Sequence, residues 1–188
     1  MKNGFTLTEA LVTIVIFVLV IGAIYEAYIL NQRASREGEA LAELTQNGRV
    51  ILERMTREIR QAKEIVTDLP STSTEATSTV EFEDGHDTSY IHYIRYFKDD
   101  DDKTVKREVI GYYFSPSGNP NDTSTYVTWD ATSSGETLAT TTIESPQIIG
   151  EWVSDLKIWK STTINISLIL KKEEKILNLE TKIYGRNL

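Results

Sequence analysis

Residues 10–25 read ALVTIVIFVLVIGAIY, a run without any charged side chain. Residues 4–9, which read GFTLTE, precede it and place one acid, Glu9, directly before the apolar run. A helix of roughly 20 residues crosses a hydrocarbon core of about 30 Å. The sequence therefore predicts that residues 5–30 form a single membrane-spanning helix.

The helical pattern continues beyond Leu30, because small or apolar residues recur there at a spacing of three and four. Charged residues occupy the opposite face, and pairs such as Glu53 with Arg57, Arg54 with Glu58 and Arg60 with Glu64 lie four residues apart. No proline interrupts the stretch. We expect one continuous helix to about residue 66, with residues 31–66 forming an amphipathic half that packs on the rest of the protein. The residues of the apolar stripe are Ala34, Gly38, Leu41, Leu44, Gly48, Ile51, Leu52, Met55, Ile59, Ala62 and Val66.

A β-rich region follows a Ser/Thr-rich connector that contains Pro70. Two hairpins are predicted, one closed by the charged turn at residues 99–103 and one by the charged turn at residues 171–175. Residues 119–125 and 131–142 are expected to form long surface loops. The predicted fold class is α+β, a long N-terminal helix followed by an antiparallel β-sheet head at residues 67–188. The predicted strands are residues 80–82, 90–97, 105–114, 126–129, 152–159, 164–170 and 176–184.

Composition argues against several functional classes. The formal net charge is -8, whereas nucleic-acid binding needs a concentrated basic surface, so no nucleic-acid partner is expected. The chain has no cysteine, which excludes disulfides, thiolate nucleophiles and cysteine metal sites. No nucleophile-base pair or phosphate loop is recognisable. We therefore expect a protein that is not an enzyme and needs no cofactor.

The stretch GFTLTE at residues 4–9, followed by the apolar run, resembles the class III signal of type IV prepilins and pseudopilins. The resemblance implies a leader peptide at residues 1–4. A prepilin peptidase would cut between Gly4 and Phe5 on the cytoplasmic side of the membrane and methylate the new amino group of Phe5. The resemblance also implies a pilin-like fold. Many major pilins have a proline partway along this helix, which this chain lacks.

Glu9 is the residue that the resemblance assigns to assembly, as the fifth residue of the mature chain. An ionised carboxylate within an apolar helix costs about 2.5 to 3.5 kcal/mol on insertion scales unless it finds a partner. In pilin-like filaments this glutamate pairs with the N-terminal amine of a neighbouring subunit. The alternative is a simple signal anchor, in which Glu9 is only a favourable acid in the first helical turns.

Two further stretches resemble a subgroup of the family. Residues 48–62, GRVILERMTREIRQA, and residues 183–187, IYGRN, are similar to J-type pseudopilins of type II secretion and to PilW-type minor pilins. This implies a minor subunit near a filament tip, with other pilin or pseudopilin subunits, the prepilin peptidase, an inner-membrane assembly platform and membrane lipid as partners. It also implies a single-pass protein of the bacterial cytoplasmic membrane whose head lies outside the cytoplasm, within a periplasmic or cell-surface filament.

Two groups of side chains in the head could suggest ligand binding. Asp99, Asp100 and Asp102 could contribute to a calcium site, but consecutive aspartates in a short hairpin turn cannot all converge, so a solvated turn is favoured and no metal is expected. His86 and His92 have no cysteine to share a metal with and are interpreted as surface or strand residues.

The aromatic residues of the strands are interpreted as core rather than as a binding patch. They are Tyr112, Tyr113, Phe114, Trp129, Trp152 and Trp159.

The favoured hypothesis is thus a structural minor subunit of a type IV pilus-like or type II secretion pseudopilus filament. The alternative is a membrane-anchored adhesin or substrate-binding β domain that is not built into a filament. The two differ in what they require of Glu9, because a mere tether would keep its activity after Glu9→Ala.

Overall fold

A computed structural model describes residues 6–86 and 89–184 of the chain. The helix α1 (Leu7–Gln61) comes first, and strands follow it to the end of the described residues. This is an α+β, pilin-like arrangement of one long N-terminal helix and an antiparallel β-sheet head, as predicted. The strands are β1 (Glu64–Ile65), β2 (Thr79–Glu83), β3 (Tyr93–Asp99), β4 (Thr104–Ser115), β5 (Thr137–Gly150), β6 (Val153–Lys160), β7 (Ile164–Lys172) and β8 (Lys175–Ile183).

The strands form two antiparallel sheets. One has the order β1-β2-β3-β4-β5 and the other the order β6-β7-β8. The two predicted hairpins are confirmed, because β3 pairs with β4 across the turn between Asp99 and Thr104 and β7 pairs with β8 across the turn between Lys172 and Lys175. Each turn includes a non-glycine residue with positive φ, Lys103 (53°) and Glu173 (54°) respectively.

The helix ends at Gln61, five residues before the predicted end near residue 66. The next residues bond elsewhere, since the Lys63 amide donates to the Glu83 carbonyl at 3.1 Å and Glu64 pairs with Glu83 in β1. Glu64 therefore lies in a strand, and the predicted helical pair of Arg60 with Glu64 does not form. The pair of Arg54 with Glu58 forms at 3.3 Å.

The strand β5 was not predicted over most of its length. Residues 137–142 were expected to lie in a surface loop because of their threonines, yet they pair residue by residue with Ser115 to Ile110 of β4. Threonine is β-branched and suits a strand once a partner is present. Conversely, the strand predicted at residues 126–129 is wrong, since only the single bridge between Tyr112 and Val127 and one turn of 3-10 helix at Thr123–Thr125 occur in this segment.

The chain divides into two compact units within α1, Met1–Ala42 and Glu43–Leu188. We refer to them as the N-terminal unit and the head unit. In the N-terminal unit the described residues are helical from Leu7 onward. The head unit contains the last part of α1 and both sheets.

The core of the head unit lies where α1 meets both sheets. Leu44, Ile51, Met55 and Ile59 of α1 are fully buried, at the spacing of three and four that the sequence indicated. All of the core residues lie between residues 44 and 183. Burying each such side chain contributes about 1.5 to 3 kcal/mol. The buried core residues of the sheets are Val80, Phe82, Ile94, Tyr96, Val105, Ile149, Val153, Leu156, Ile158, Ile164, Ile166, Leu168, Leu170 and Ile183.

Candidate functional site: the N-terminal segment

The predicted processing site lies at the very start of the chain. Gly4 and Phe5 fall outside the described residues, so their predicted roles in cleavage and methylation remain predictions. The described chain begins with Thr6, and α1 begins at Leu7. Thr6 therefore occupies the N-cap position, directly before the first residue of the helix.

Thr6 and Glu9 form a reciprocal cap at the start of α1. The Thr6 backbone amide donates to Glu9 Oε2 at 3.0 Å, and the Glu9 backbone amide donates to Thr6 Oγ1 at 3.3 Å. The Thr6 hydroxyl also donates to Glu9 Oε2 at 2.9 Å. This is a capping box, which satisfies backbone amides that the first turn leaves without a helical partner. Thr6 was not among the predicted site residues, although its spacing of three from Glu9 is the sequence signal of this motif.

The capping box leaves part of the Glu9 carboxylate available. Both hydrogen bonds to the carboxylate use Oε2, and Oε1 has no hydrogen-bond partner within the described part of the chain. The Glu9 side chain is exposed, and the apolar side chains of the following turns are exposed around the helix. Glu9 thus combines a negative charge with an apolar surface, and among the described residues its Oε1 is still available as an acceptor.

That apolar surface is extensive. Residues 6–28 are all exposed, including Leu11 (60%), Phe17 (64%) and Leu19 (68%). A soluble protein rarely exposes so continuous an apolar surface. Within the described residues α1 is the helix that is long and apolar enough to cross a membrane. An apolar N-terminal helix of this kind fits a protein anchored in the inner membrane.

A charged network joins α1 to the five-stranded sheet inside the head unit. Glu58 Oε2 accepts hydrogen bonds from the Tyr96 hydroxyl at 2.7 Å and from Arg107 Nε at 3.0 Å. Arg107 Nη1 also donates to Glu144 of β5 at 3.0 Å. Burial raises the pKa of Tyr96, and the neighbouring Glu58 carboxylate raises it further. The hydroxyl therefore stays protonated and can remain the donor, which positions the helix against the sheet.

The acidic turn between β3 and β4 is neutralised by lysines. Asp99 Oδ2 and Asp102 Oδ2 both bind Lys106 Nζ, at 2.6 and 2.8 Å, and Asp100 pairs with Lys98. Asp99 Oδ1 accepts the amides of the two residues at the tip of the turn. The hydrogen bond from Lys106 holds the pKa of Asp99 below its ordinary value, and the two aspartates raise the pKa of Lys106 to about 12. The predicted calcium candidates Asp99, Asp100 and Asp102 thus lie in a turn that is closed by ion pairs.

The two histidines differ in their exposure to solvent. His86 is exposed, whereas His92 is buried and its Nε2 lies 3.1 Å from Asp84 Oδ2. Over residues 6–86 and 89–184 no group of three or more His, Asp or Glu side chains converges in a way that could hold a metal ion.

The aromatic residues that were predicted to form the core are not its fully buried members. The six that the sequence analysis assigned to the core are half-buried, and the fully buried aromatic side chains are instead Phe82, Tyr93 and Tyr96. Trp152 packs against the core edge and donates from Nε1 to Glu43 at 3.1 Å. Its φ of 64° is unusual for a bulky residue.

Comparison with known proteins bears on the N-terminal segment alone. Residues 1–25 match the family model described as the prokaryotic N-terminal methylation motif. No curated protein and no solved structure matches this chain. The matched residues include the predicted leader, Glu9 and the whole apolar run at residues 10–25. The motif, together with the long apolar N-terminal helix and the antiparallel β-sheet head that follows it, supports the assignment of this chain as a type IV pilin-like protein.

Proposed function

We propose that this chain is a structural minor subunit of a type IV pilus-like or type II secretion pseudopilus filament. In this proposal prepilin peptidase cleaves between Gly4 and Phe5 and methylates Phe5, and the subunit then assembles through its N-terminal helix. Other pilin or pseudopilin subunits and an inner-membrane assembly platform are its partners. The minor role follows from the resemblance to J-type pseudopilins and PilW-type minor pilins.

The observation that carries the proposal is the position of Glu9 on an exposed apolar helix. Glu9 lies within the methylation motif at residues 1–25. Bilayer lipid can cover the apolar side chains, but it offers no partner for a carboxylate, which is costly inside hydrocarbon. Helices of neighbouring subunits can cover the same side chains, and the Phe5 amine of one of them can pair with Glu9.

The geometry of the capping box is compatible with this pairing. Glu9 Oε2 is held by the Thr6 amide and hydroxyl, while Oε1 has no partner among the described residues. An incoming amine can therefore bind Oε1 without first breaking the helix cap. The same carboxylate then caps α1 within one subunit and binds the Phe5 amine of a neighbouring subunit in the filament.

Two measurements test the proposal in cells that have the prepilin peptidase. Mass spectrometry of the mature chain should find Phe5 as an N-methylated first residue. Glu9→Ala should leave cleavage and membrane insertion intact and remove the protein from the sheared or secreted filament fraction. Glu26→Ala, a change of the same kind near the other end of the predicted span, serves as the control and should retain incorporation.

Three outcomes would count against the proposal. Recovery of the native chain with residues 1–4 still attached would exclude processing as a pilin. Normal incorporation of the Glu9→Ala variant into the filament fraction would refute the assembly role of Glu9. Full activity of a chain that stays out of the filament fraction would instead favour the alternative, a membrane-anchored adhesin or substrate-binding β domain.

A further inference from the structure

The head unit has two long strand edges that no other strand of the described chain covers. The strand β5 ends the five-stranded sheet and β8 ends the three-stranded sheet. The opposite edge of each sheet is either short, as in β1, or bridged, as in β6 through the pair of Thr77 with Ile158. A groove of about 600 Å³ lies between α1 and β8, and Leu179, Glu180 and Thr181 form its β8 side.

The first half of β5 lacks the features that normally prevent strands from pairing at an edge. Residues 137–143 read TLATTTI, with no charge and no proline. Natural sheet edges are usually blocked by lysine, proline, bulges or short length. In β5 such features occur only later, with the register shift before Glu144 and with Pro146. Residues 137–142 are therefore a regular, unprotected edge.

The hydrogen bonds of β4 show which backbone groups of β5 point outward. Tyr112 pairs with Thr140 of β5, but its carbonyl accepts the Val127 amide at 2.9 Å on its other side. The pair of Tyr112 with Thr140 is therefore of the type that exchanges no hydrogen bonds. In such a pair the backbone amide and carbonyl groups of each residue point away from the other residue. Thr140, and with it Leu138 and Thr142, presents its amide and carbonyl at the free edge.

The hairpin between β7 and β8 determines which backbone groups of β8 point toward its free edge. It closes on Lys172 and Lys175 with a two-residue turn, and such a closing pair is hydrogen-bonded. The backbone groups then alternate along β8. Ile176, Asn178, Glu180 and Lys182 direct their amides and carbonyls toward the free edge.

We propose that β5 of one head adds to β8 of a second copy of this chain as an antiparallel strand, with Thr140 opposite Asn178. In this register both residues present outward-pointing backbone groups, as a hydrogen-bonded pair requires. Glu136 then lies opposite Lys182, an attractive cross-strand pair. A shift of two residues in one direction would place Glu136 opposite Glu180 instead.

Charge also disfavours one symmetric register of β5 paired with itself. With Thr140 opposite Thr140, Glu136 of each copy faces Glu144 of the other. Like charges directly opposite each other destabilise a sheet. The paired stretch in the β5–β8 contact contains no such conflict, because it ends at Thr142, where the register shift begins.

A contact between two different edges leaves one free edge on each partner. Such a heterologous contact repeats into an open array, whereas a symmetric one closes after two copies. The role of this contact in a filament rests on the proposed function, which it makes more specific. It needs only two neighbouring copies, so it is compatible with a subunit present in few copies.

Disulfide trapping tests the contact in the full-length chain, purified in detergent micelles. The chain has no cysteine, so single substitutions report on one position each. Thr140→Cys and Asn178→Cys both replace exposed residues. A hydrogen-bonded antiparallel pair places Cα atoms about 5.5 Å apart, within the range of a disulfide. Mild oxidation of the two variants mixed together should yield a covalent dimer that neither variant forms alone.

A control variant and a charge reversal show whether the cross-link depends on the proposed register. Ser154→Cys, exposed on β6, replaces Asn178→Cys in the control mixture and should give no dimer. Lys182→Glu should lower the yield of the specific dimer about two- to fivefold, and Glu136→Lys on the partner should restore it. A yield equal to the control, or a dimer of Thr140→Cys alone, would overturn the proposal. Processing at Phe5, measured on the same preparation, shows separately whether the proposed function stands.

Discussion

Replacing Gly150 by alanine should force a methyl group into the side chain of Ile51. An ideal Cβ on Gly150 would lie 2.3 Å from Ile51 Cδ1 and 2.4 Å from Cγ1, far inside van der Waals contact. Ile51 is fully buried between α1 and the sheets and has no room to retreat. Overpacking of this kind costs about 1 to 3 kcal/mol.

A double-mutant cycle identifies the contact responsible. Ile51→Ala alone removes a buried side chain and should cost about 2 to 5 kcal/mol. If the two atoms named above are the source of strain, Gly150→Ala should cost almost nothing once Ile51 is alanine, because the new methyl group enters the vacated space. The coupling free energy should then be about 1 to 3 kcal/mol, well above the limit of roughly 0.5 kcal/mol for independent sites.

The assay is equilibrium denaturation of residues 43–188, the unit that contains all of the core residues. Met55→Ala supplies a matched control, since Met55 is also fully buried on α1 and is not among the atoms near Gly150. Its effect should add to that of Gly150→Ala. Additive behaviour of the Ile51 cycle would refute the close approach of α1 to the end of β5.

Two further predictions concern the head unit. Burial raises the pKa of Tyr93 to about 12, above its ordinary value of 10.0. The neutral phenol therefore stabilises the fold below pH 10, and that contribution is lost as the pH rises toward 12. Thermal denaturation between pH 9 and 12 should therefore show a loss of stability that is smaller in Tyr93→Phe. Gly85→Ala should destabilise the head by about 1 to 3 kcal/mol, because a Cβ there would lie 2.2 Å from the Gln61 carbonyl oxygen at the end of α1. Gly38→Ala, with no atom within 4 Å of its Cβ, should instead be neutral or stabilising, and equal effects of the two glycine changes in a melting experiment would contradict this reasoning.

The helix and the two charged hairpins could be predicted because their signals are local. A long apolar run, a stripe at helical spacing and charged two-to-five-residue turns each act over a few neighbouring residues. The N-terminal methylation motif was recognisable for the same reason, since its residues adjoin one another along the chain. The role of Glu9 in assembly stays a prediction. Thr6 was overlooked although its capping partner lies only three residues away.

The strand β5 could not be predicted from its own residues. Its threonines, serine and proline are typical of loops, and it becomes a strand because β4 supplies a partner for its backbone. The end of α1 could not be predicted for the same reason, because Lys63 and Glu64 pair with Glu83 of β2 instead of continuing the helix. In both cases the competing partner is distant in the sequence.

The sequence by itself determined that this protein has an apolar N-terminal helix with a methylation motif and with Glu9 at its start, because those properties depend on neighbouring residues alone. Only the tertiary structure decided which strand edges stay open, which backbone groups they present and how the lysines neutralise the acidic turn. These features arise when strands far apart in the chain pair and fix each other's register. The β5 and β8 edges therefore become visible as a possible contact only once both sheets are in place.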